Sequence, residues 1–478
     1  MPRPSRRALR ILLLRTSPIG AAFRGPAPPC VIAPLGVLYL ASSLRKRFGS
    51  RVDVIVESLS TAVRSLEDVP GFIARIEPDV VGISSSLVEE QEAVAVAEAS
   101  RGLTRPPLVV VGGPYPTCSP ERALRRTGAD AVVLHEGEVS FADLVGALLE
   151  GGDAALVPGT MRLDGDGNPL PSPAAGFIEN LDAMPHPAWD LIPIEAYSKL
   201  FNFNDMPALS HPYVPVMTSR GCTYRCSFCH NIFGKRFRVR SPENVLEEIE
   251  LLHDRFGVRE IHVVDDIFNA DPERVERICR MIIRRGLSIG IAFPNGLRGD
   301  VLTKEQLRLL RKAGCYSITL ALESASPRIQ RLMRKRINLE KLAAAARTAT
   351  ELGIITSCFV MFGYPGETRE DLETTIRWVR DSTIDFPRHC IASPFPGTGM
   401  SEHARERGFD PEGMEAGRAS YDKTNAGLAA MSPEEFRTLV REGIREIMDE
   451  PKRRERLKTI WSRWGAESWP YFGHPPGR

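Results

Sequence analysis

The sequence predicts an α/β protein with two successive α/β domains and a helical C-terminal region. Short apolar runs alternate with helical patterns across residues 1–150, and the same alternation resumes across residues 212–400. Residues 151–211, between these regions, are rich in Gly and Pro and read as a linker, whereas residues 401–478 read mainly as helix. Alternation of this kind favours parallel sheets covered by helices.

Composition and charge exclude several classes of protein. A chain of 478 residues is too long for one ordinary hydrophobic core. Its content of 43% hydrophobic and 26% charged residues is typical of a soluble globular protein. A net charge of +2 gives no electrostatic footprint for nucleic acid or an anionic membrane. The apolar run Ile11–Leu14 is too short for a signal-peptide core, and no run approaches the length of a membrane span. Nine cysteines, three of them clustered, favour a reducing cytoplasm. We therefore expect a cytoplasmic protein without nucleic-acid or membrane partners.

The first domain is predicted to be a doubly wound, Rossmann-like sheet, whose ligand sits at the carboxyl ends of the strands. Two helices are expected at Leu35–Phe48, closed by Gly49, and at Glu89–Ser100. No Gly-x-Gly-x-x-Gly fingerprint marks a dinucleotide site. The predicted strands are Ala8–Leu14, Val52–Glu57, Val80–Ser84, Leu108–Val111 and Ala131–Leu134, and the strand-end loops are Thr16–Gly36, Ser84–Leu87 and Gly112–Thr117.

Three cysteines, Cys222, Cys226 and Cys229, stand in a Cys-x3-Cys-x2-Cys pattern with Phe228 before the last. Thiolates suit iron–sulfur clusters and zinc. A structural zinc site needs four ligands, and the adjacent His230 is an awkward fourth one. A redox dithiol formed by Cys226 and Cys229 would leave Cys222 without a role. A four-iron cluster with one iron open to a small molecule uses all three.

This pattern resembles the cluster loop of radical S-adenosylmethionine (SAM) enzymes. The resemblance implies a [4Fe-4S] cluster on Cys222, Cys226 and Cys229, with the open iron binding the amino and carboxylate groups of SAM. It also implies that an electron from the cluster cleaves the sulfonium and releases a 5′-deoxyadenosyl radical. An external donor such as flavodoxin or ferredoxin is the implied source of that electron.

The second domain contains six predicted strand–helix units, which match the partial (β/α)6 TIM barrel of that family. In such barrels the chemistry lies at the carboxyl ends of the strands. A helix is expected to start at Ser241-Pro242 and to end at Gly257. The predicted strands are Tyr213–Thr218, Glu260–Val264, Ser288–Phe293, Tyr316–Leu322, Ile354–Phe362 and Arg388–Ala392.

Polar and glycine residues follow four of these strands, and the resemblance indicates that they contact SAM. Each set has a structural alternative: an acidic turn, an Asn-Gly turn, a buried Glu paired with Arg, or glycines beside the capping box Thr368–Asp371. The candidates are Asp265 and Asp266, then Asn295 and Arg298, then Glu323 and Ser324, and finally Gly363, Pro365 and Gly366.

The first domain, placed ahead of such a loop, resembles the cobalamin-binding domain of cobalamin-dependent radical SAM enzymes. Ser85 and Leu87 match the Ser-x-Leu element of that family, and Gly112 with Gly113 match its paired glycines. The resemblance implies that these loops surround the dimethylbenzimidazole tail of cobalamin. No histidine precedes His135, so the loop after the first strand cannot supply a lower cobalt ligand. A domain that binds nothing, or another ligand, is the alternative.

The combined resemblance is to class B radical SAM methyltransferases. It implies hydrogen abstraction from an unactivated carbon of a small, natural-product-type substrate, methyl transfer from methylcobalamin, and remethylation of the cofactor by a second SAM. Cyclisation, rearrangement or oxidation without methylation, and transfer of the aminocarboxypropyl arm of SAM, are alternatives within the family. A non-enzymatic corrinoid or metal sensor is the alternative outside it. The sequence identifies no catalytic side chain and no particular substrate.

In the tail, a charged run and a group of aromatic residues stand out. The run Lys452–Lys458 is interpreted as a solvated helix face. The aromatic residues are interpreted as sealing the terminal segment against a core; they are Trp461, Trp464, Trp469, Tyr471 and Phe472.

Overall fold

A computed structural model describes residues 7–17, 33–152, 157–199, 208–230, 232–411 and 427–464. The chain forms two compact units. One comprises Met1–Asn202 with Ile232–Gly234, and the other Phe203–Asn231 with Lys235–Arg478. None of the described helices combines the length and the apolar composition that a bilayer crossing requires.

The first unit contains a seven-stranded sheet in the order β2-β1-β3-β4-β5-β6-β7. The first five strands are parallel, and β1 lies between β2 and β3, so the chain reverses its winding direction there. The apolar runs of the sequence predicted these five strands to within one residue. The strands are β1 Leu9–Arg15, β2 Val52–Ser58, β3 Val80–Ser84, β4 Leu108–Gly112, β5 Ala131–Val133, β6 Thr160–Leu163 and β7 Pro169–Pro171.

The helices of the first unit bury their apolar faces against the sheet, as Leu38, Ala41 and Leu44 of the first helix illustrate. That helix ends where predicted, at Gly49, whose φ of 55° suits glycine. The helices are α1 Leu35–Phe48, α2 Leu59–Ala62, α3 Val69–Ile76, α4 Glu90–Arg101, α5 Pro114–Cys118, α6 Pro120–Thr127, α7 Gly137–Glu150 and α8 Ile194–Ser198.

The predicted linker contains a hairpin that extends the first sheet. Strands β6 and β7 are antiparallel, and β6 pairs antiparallel with β5. Asp164 closes the turn, because its Oδ1 accepts hydrogen bonds from the amides of Asp166 at 2.9 Å and Asn168 at 2.8 Å. Part of this connecting segment therefore completes the edge of the sheet.

The second unit contains six parallel strands in the order β15-β14-β13-β12-β11-β8, the open barrel that six strand–helix units predict. Strand β12 runs four residues further than predicted, with register shifts against β13. A short antiparallel pair, β9 with β10, lies outside this sheet. The strands are β8 Tyr213–Val216, β9 Ser219–Arg220, β10 Arg238–Val239, β11 Glu260–Val263, β12 Gly290–Leu297, β13 Cys315–Glu323, β14 Ile355–Phe362 and β15 Phe386–Ile391.

Side-chain caps start most helices of this unit. Ser241 accepts a hydrogen bond from the amide of Asn244, and Thr368 with Asp371 forms the predicted capping box. The helices are α9 Pro242–Phe256, α10 Pro272–Arg285, α11 Lys304–Lys312, α12 Pro327–Leu332, α13 Leu339–Glu351, α14 Arg369–Asp381, α15 Gly399–Arg405, α16 Pro433–Met448 and α17 Pro451–Trp464.

The C-terminal helix α17 seals the amino end of strand β15. Trp461 and Leu457 pack against the buried Phe386, which confirms the interpretation of Trp461. The side chain of Trp464 and residues Trp469, Tyr471 and Phe472 lie outside the described residues.

The interpretation of Lys452–Lys458 as a solvated face is wrong for Arg453, which is completely buried. Its guanidinium donates to the carbonyl oxygens of Ile384 at 2.8 Å, Ile447 at 2.5 Å and Val379 at 2.6 Å. One side chain thus satisfies carbonyls at the ends of α14 and α16, so a residue from a charged run is buried to complete helix termini.

We expect Arg453→Met to destabilise the protein by about 3 kcal/mol, because three buried carbonyls lose their hydrogen-bond donor. Urea unfolding followed by tryptophan fluorescence measures this loss. Lys452→Met is the matched control, since Lys452 is exposed, and its effect should stay within about 0.5 kcal/mol. Equal stability of the two variants would contradict the structural role of Arg453.

Candidate functional site

The three cysteines lie in a loop whose base is closed by the β9–β10 pair. Asp265, at the carboxyl end of β11, fixes the start of this loop. Its Oδ1 accepts from the Thr218 amide, and its Oδ2 accepts from the hydroxyls of Thr218 and Ser219, each at 2.6 Å. Burial raises the pKa of this carboxyl. Both oxygens are therefore engaged in positioning the strand that leads to Cys222.

Asp266 holds the turn between strand β9 and Cys222. Its Oδ2 accepts a hydrogen bond from the amide of Gly221 at 2.9 Å, and the side chain is otherwise exposed. Gly221 has a φ of 79°, which places the turn before Cys222 in the left-handed region. The two adjacent carboxylates differ in exposure, and Asp266 retains accessible acceptor capacity for a ligand.

The cysteines themselves are free thiols: Cys222 and Cys226 are partly buried and Cys229 is exposed. A hydrogen bond from the thiol of Cys229 lowers the pKa of Cys226, so these two sulfurs are neighbours. Within the described ranges, no three His, Cys, Asp or Glu side chains converge on one ion position. The thiolates of a four-iron cluster bind three different irons and need no such convergence. This donor set fits the predicted cluster.

Ser227, between the second and third cysteines, anchors the loop to the barrel. Its amide donates to the carbonyl of Met333 at 2.9 Å, and its carbonyl accepts from the amide of Met400 at 2.7 Å. Its hydroxyl lies 2.7 Å from that of Tyr364. His230, the weighed fourth zinc ligand, packs its ring on Phe395 at a centroid distance of 5.3 Å.

Each gap of the cysteine pattern holds an aromatic ring that a cation covers. The guanidinium of Arg298 lies 4.0 Å from the ring centroid of Tyr224, and Lys335 Nζ lies 5.4 Å from that of Phe228. Lys335 also donates to Glu323 Oε1 at 2.9 Å in a buried ion pair. No local pattern marked Lys335 in advance, because its role depends on the loop after α12 folding back onto the cysteines.

Three of the residues predicted to contact SAM are held by bonds to neighbouring loops of the barrel. Asn295 is exposed and donates from Nδ2 to the Val264 carbonyl at 2.7 Å. Arg298 pairs with Asp300 at 3.0 Å and donates to the Lys335 carbonyl at 3.2 Å. Glu323 has a φ of 66°, a left-handed backbone that is costly for a residue with a Cβ. Its partner is lysine, where the sequence interpretation weighed arginine.

Ser324 is buried, and its hydroxyl is 3.1 Å from Thr375 Oγ1 and accepts from the Ser326 amide at 3.2 Å. This hydroxyl therefore stabilises the turn after β13. Contact of Asp265, Asp266, Asn295, Arg298, Glu323 and Ser324 with SAM stays a prediction.

The glycine loop after β14 is tightly packed. Gly363 and Gly366 have φ values of 81° and 80°, and a Cβ on Gly363 would lie 2.9 Å from the ring of Phe436. Pro365 between them is buried. The Gly363 amide donates to Glu367 Oε2 at 2.6 Å, whereas Glu367 Oε1 has no hydrogen-bond partner among the described residues. The buried carboxyl of Glu367 thus holds the start of this loop. Contact of the loop with SAM stays a prediction.

Burial raises the pKa of Glu367 from 4.5 to about 8. The folded state then binds more protons than the unfolded state between these values, so its stability falls as pH rises. We expect Glu367→Gln to remove this loss. The free energy of unfolding of the variant relative to wild type should rise by about 1.4 kcal/mol per pH unit between about pH 5 and 8.

Urea unfolding at several pH values measures this difference. Glu370→Gln is the control, because Glu370 is exposed on the same helix start, and its difference from wild type should not change with pH. A constant difference for Glu367→Gln as well would contradict a neutral buried carboxyl.

In the first unit, the predicted loops meet at the carboxyl edge of β3 and β4. Gly113 has a φ of 91°, and a Cβ there would lie 3.0 Å from the carbonyl oxygen of Ser85. Ser85 in turn donates its amide to the carbonyl of Gly112 at 3.0 Å, and Leu87 is buried beside it. The structure brings Ser85, Leu87, Gly112 and Gly113 together, and only glycine fits at position 113 without displacing the neighbouring loop.

Glu89 holds these loops to the end of β1. Its Oε2 accepts from Arg15 Nη1 at 2.5 Å, from the Thr16 hydroxyl at 3.0 Å and from the Ser86 amide at 3.0 Å. Glu89 was not singled out from the sequence, although the capping pattern Ser86-x-x-Glu89 could have indicated its bond to the Ser86 amide. Most of the predicted loop Thr16–Gly36 lies outside the described residues.

His135, at the end of β5, has a φ of 60° and is exposed. Its Nδ1 lies 2.9 Å from the carbonyl oxygen of Ile232, and its ring packs edge-on against Phe177. These contacts explain why Ile232–Gly234 groups with the first unit.

Comparison with protein families assigns both units. Residues 216–379 match the family model "Radical SAM superfamily", and residues 29–145 match the model "B12 binding domain". The first range spans strands β11 to β14 and all three cysteines, and the second spans the loops at Ser85 and Gly113.

Individual proteins are similar over most of the chain. An uncharacterized methyltransferase, PH0819 of Pyrococcus horikoshii, is 34% identical over 78% of this chain and 78% of its own length. The cytidylyl-2-hydroxyethylphosphonate methyltransferase of Streptomyces wedmorensis is 28% identical over 97% of this chain and 94% of its own. The fold is similar to that of the radical SAM methyltransferase TsrM from Kitasatospora setae, solved with cobalamin and a [4Fe-4S] cluster, with a TM-score of 0.68 and 22% identity over 83% of this chain and 78% of that one.

Proposed function

Because the chain belongs to the radical SAM superfamily and carries a B12 binding domain, we propose that it is a cobalamin-dependent radical SAM methyltransferase acting on a carbon of a small molecule. The observation that carries the proposal is the presence in one chain of two candidate cofactor-binding loops. One is a three-cysteine loop at the carboxyl end of a barrel strand, and the other is a paired-glycine loop at the carboxyl edge of a doubly wound sheet. In the proposed reaction the first site would supply the radical and the second the methyl group.

Cys222, Cys226 and Cys229 would hold the cluster, which when bound supplies the electron that cleaves SAM. Three thiolates leave one of four irons without a protein ligand. Asp265 and Ser227 position the two halves of the loop, so the thiols are ordered by hydrogen bonds that do not involve the metal. The chain thereby reduces the entropy lost when the cluster binds.

The loops after β11, β12, β13 and β14 would receive SAM. Asp266 and Asn295 present exposed polar side chains, and the Glu323–Lys335 ion pair supplies one buried carboxylate and one buried ammonium beside the cysteines. The glycine loop from Gly363 to Gly366 offers close backbone approach to a flat ring. Together these groups match the charges of an amino acid and the shape of a nucleoside.

Gly112, Gly113, Ser85 and Leu87 would surround the tail of cobalamin, which when bound supplies the methyl group. Support comes from their shared position at one sheet edge, where doubly wound sheets bind ligands. We further propose that an external protein supplies the electrons and that the enzyme works in the cytoplasm.

Anaerobic reconstitution with iron, sulfide and cobalamin, followed by analysis of the products from SAM and dithionite, tests the proposal. We expect 5′-deoxyadenosine together with S-adenosylhomocysteine. Deoxyadenosine alone would indicate radical chemistry without methylation, such as cyclisation, and methylthioadenosine would indicate transfer of the aminocarboxypropyl arm. Protein that shows no corrin absorbance after reconstitution would contradict the cobalamin assignment.

A further inference from the structure

A short segment that begins in the last turn of helix α12, residues 331–337, lies directly against the cluster loop, which is the loop that carries Cys222, Cys226 and Cys229. The Ser227 amide donates to the carbonyl of Met333 at 2.9 Å, and the Ser227 hydroxyl donates to that of Leu332 at 3.2 Å. From the other side, Arg298 donates to the carbonyls of Lys335 and Arg336, both at 3.2 Å. All of these residues belong to the second unit.

The side chains of this segment alternate between buried and exposed. Met333, Lys335 and Ile337 are buried, and Met333 contributes to a cluster that includes Tyr364 and Met400. Arg331, Arg334 and Arg336 are exposed. Because the buried side chains and the backbone carbonyls are used in packing against the loop, the arginines are the surface that this segment presents to solvent.

A fourth exposed arginine, Arg225, stands in the cluster loop directly before Cys226. Its neighbours Tyr224 and Ser227 are both tied to the α12 segment, through Arg298 and Met333 respectively. We name Arg225, Arg331, Arg334 and Arg336 the cluster-side arginine patch. In the part of the chain that the structure describes, no ion pair joins any of the four to a carboxylate.

Two carboxylates next to this segment are already neutralised. Glu323 pairs with Lys335 at 2.9 Å and Asp300 pairs with Arg298 at 3.0 Å, and the two carboxylate side chains are only 8% and 9% exposed. The patch therefore places guanidiniums that have no carboxylate partner among the described residues beside the cluster loop, although the whole chain has a net charge of only +2.

The backbone of the patch carries strain. Arg334 and Arg336 have φ values of 54° and 49°, the left-handed region that non-glycine residues rarely adopt. Strain of this kind is costly and concentrates at functional sites. Here it turns two arginines outward while the residue between them stays buried.

We propose that the cluster-side arginine patch is the docking surface for an acidic one-electron carrier protein that reduces the cluster, an inference that rests on the proposed function. The carrier, a low-potential flavin or iron–sulfur protein, is oxidised by one electron and the cluster is reduced by one, and docking makes or breaks no bond. Opposite charges steer such short-lived encounters, whose interfaces are small. The patch brings the carrier to the outer surface of the loop that holds the cluster.

The test compares wild type with Arg331→Gln/Arg334→Gln/Arg336→Gln, using reduced flavodoxin as the donor in anaerobic stopped-flow experiments. We expect the second-order rate of flavodoxin oxidation to fall about tenfold at low ionic strength, and the difference to close at high salt. The matched control is Arg284→Gln/Arg308→Gln/Arg347→Gln, three exposed arginines on the outer helices, which should keep the wild-type rate. The single variant Arg331→Glu provides a second measurement of the flavodoxin oxidation rate, with less risk to folding than the triple variant.

Dithionite separates failure of this inference from failure of the proposed function. With excess dithionite, the patch variant should contain wild-type iron and reach the wild-type final yield of 5′-deoxyadenosine. Equal flavodoxin rates and equal salt dependence in variant and wild type would overturn the docking surface alone. A patch variant that loses binding to single-stranded RNA but keeps its flavodoxin rate would also overturn it. Absence of deoxyadenosine from wild type with dithionite would overturn both proposals.

Discussion

Replacement of any one of Cys222, Cys226 and Cys229 by Ala is expected to abolish SAM cleavage. Loss of an outer-shell partner typically lowers metal affinity or activity 10–100-fold, and loss of a ligand removes more, so we expect a decrease of more than about a hundredfold. Iron per chain after reconstitution should fall from about four to the background level. Iron analysis and quantification of 5′-deoxyadenosine with dithionite measure both effects.

The control for these variants is Cys118→Ala, which removes a partly buried thiol from the first unit. It should retain both iron and SAM cleavage. Full cleavage by any single variant of the three cluster cysteines would exclude that cysteine as a ligand, and full cleavage by all three would reject the loop as the cluster site.

Gly113→Val is expected to separate SAM cleavage from methyl transfer. A β-branched side chain at a φ of 91° is strained, and its Cβ would lie 3.0 Å from the Ser85 carbonyl, so the loop must move. If displacement of the loop costs about 1–3 kcal/mol, the affinity for cobalamin should be roughly five- to 150-fold weaker. Cobalamin titration followed by absorbance should show this loss, and S-adenosylhomocysteine should fall while deoxyadenosine persists.

Gly151→Val is the matched control. Gly151 lies in the same unit with a φ of 71°, and among the described residues no atom beyond its chain neighbours lies within 4 Å of an added Cβ. This variant carries comparable backbone strain without the clash, so its affinity for cobalamin should equal that of wild type. If both variants bind cobalamin equally well, the loops at Ser85 and Gly113 do not form the cofactor site.

Local sequence patterns predicted much of this architecture. Buried parallel strands are short apolar runs, so β1 to β5 and most barrel strands were located to within one or two residues. The cysteine motif was equally visible, because its three cysteines lie within eight residues of one another. The loops at Gly113 and Gly363 were predictable for a related reason, since a left-handed backbone requires glycine.

Contacts that depend on tertiary structure were not predictable. Lys335 reaches Glu323 across twelve residues, and nothing in the run Arg-Lys-Arg marks the middle residue as buried. Arg453 was assigned to solvent for the same reason, because carbonyls from two distant helix ends bury it. Asp265 was correctly placed at a strand end, but its engagement by Thr218 and Ser219 follows only from the pairing of β11 with β8.

Strand β12 illustrates a third limit. The strand was predicted to end at Phe293, with a turn at the Asn-Gly pair as one alternative, yet it continues to Leu297 through register shifts. An irregular strand tolerates proline and glycine because some ladder hydrogen bonds are already missing. Asn295 therefore projects from a strand, with its amide bonded to the carbonyl of Val264.

Mössbauer spectroscopy of the anaerobic, 57Fe-reconstituted protein with and without SAM tests the central claim most directly. A four-iron cluster held by three cysteines should show one iron whose isomer shift changes when SAM is added, while the other three stay unchanged. A zinc centre in the loop, or a cluster whose four irons are all insensitive to SAM, would contradict the account.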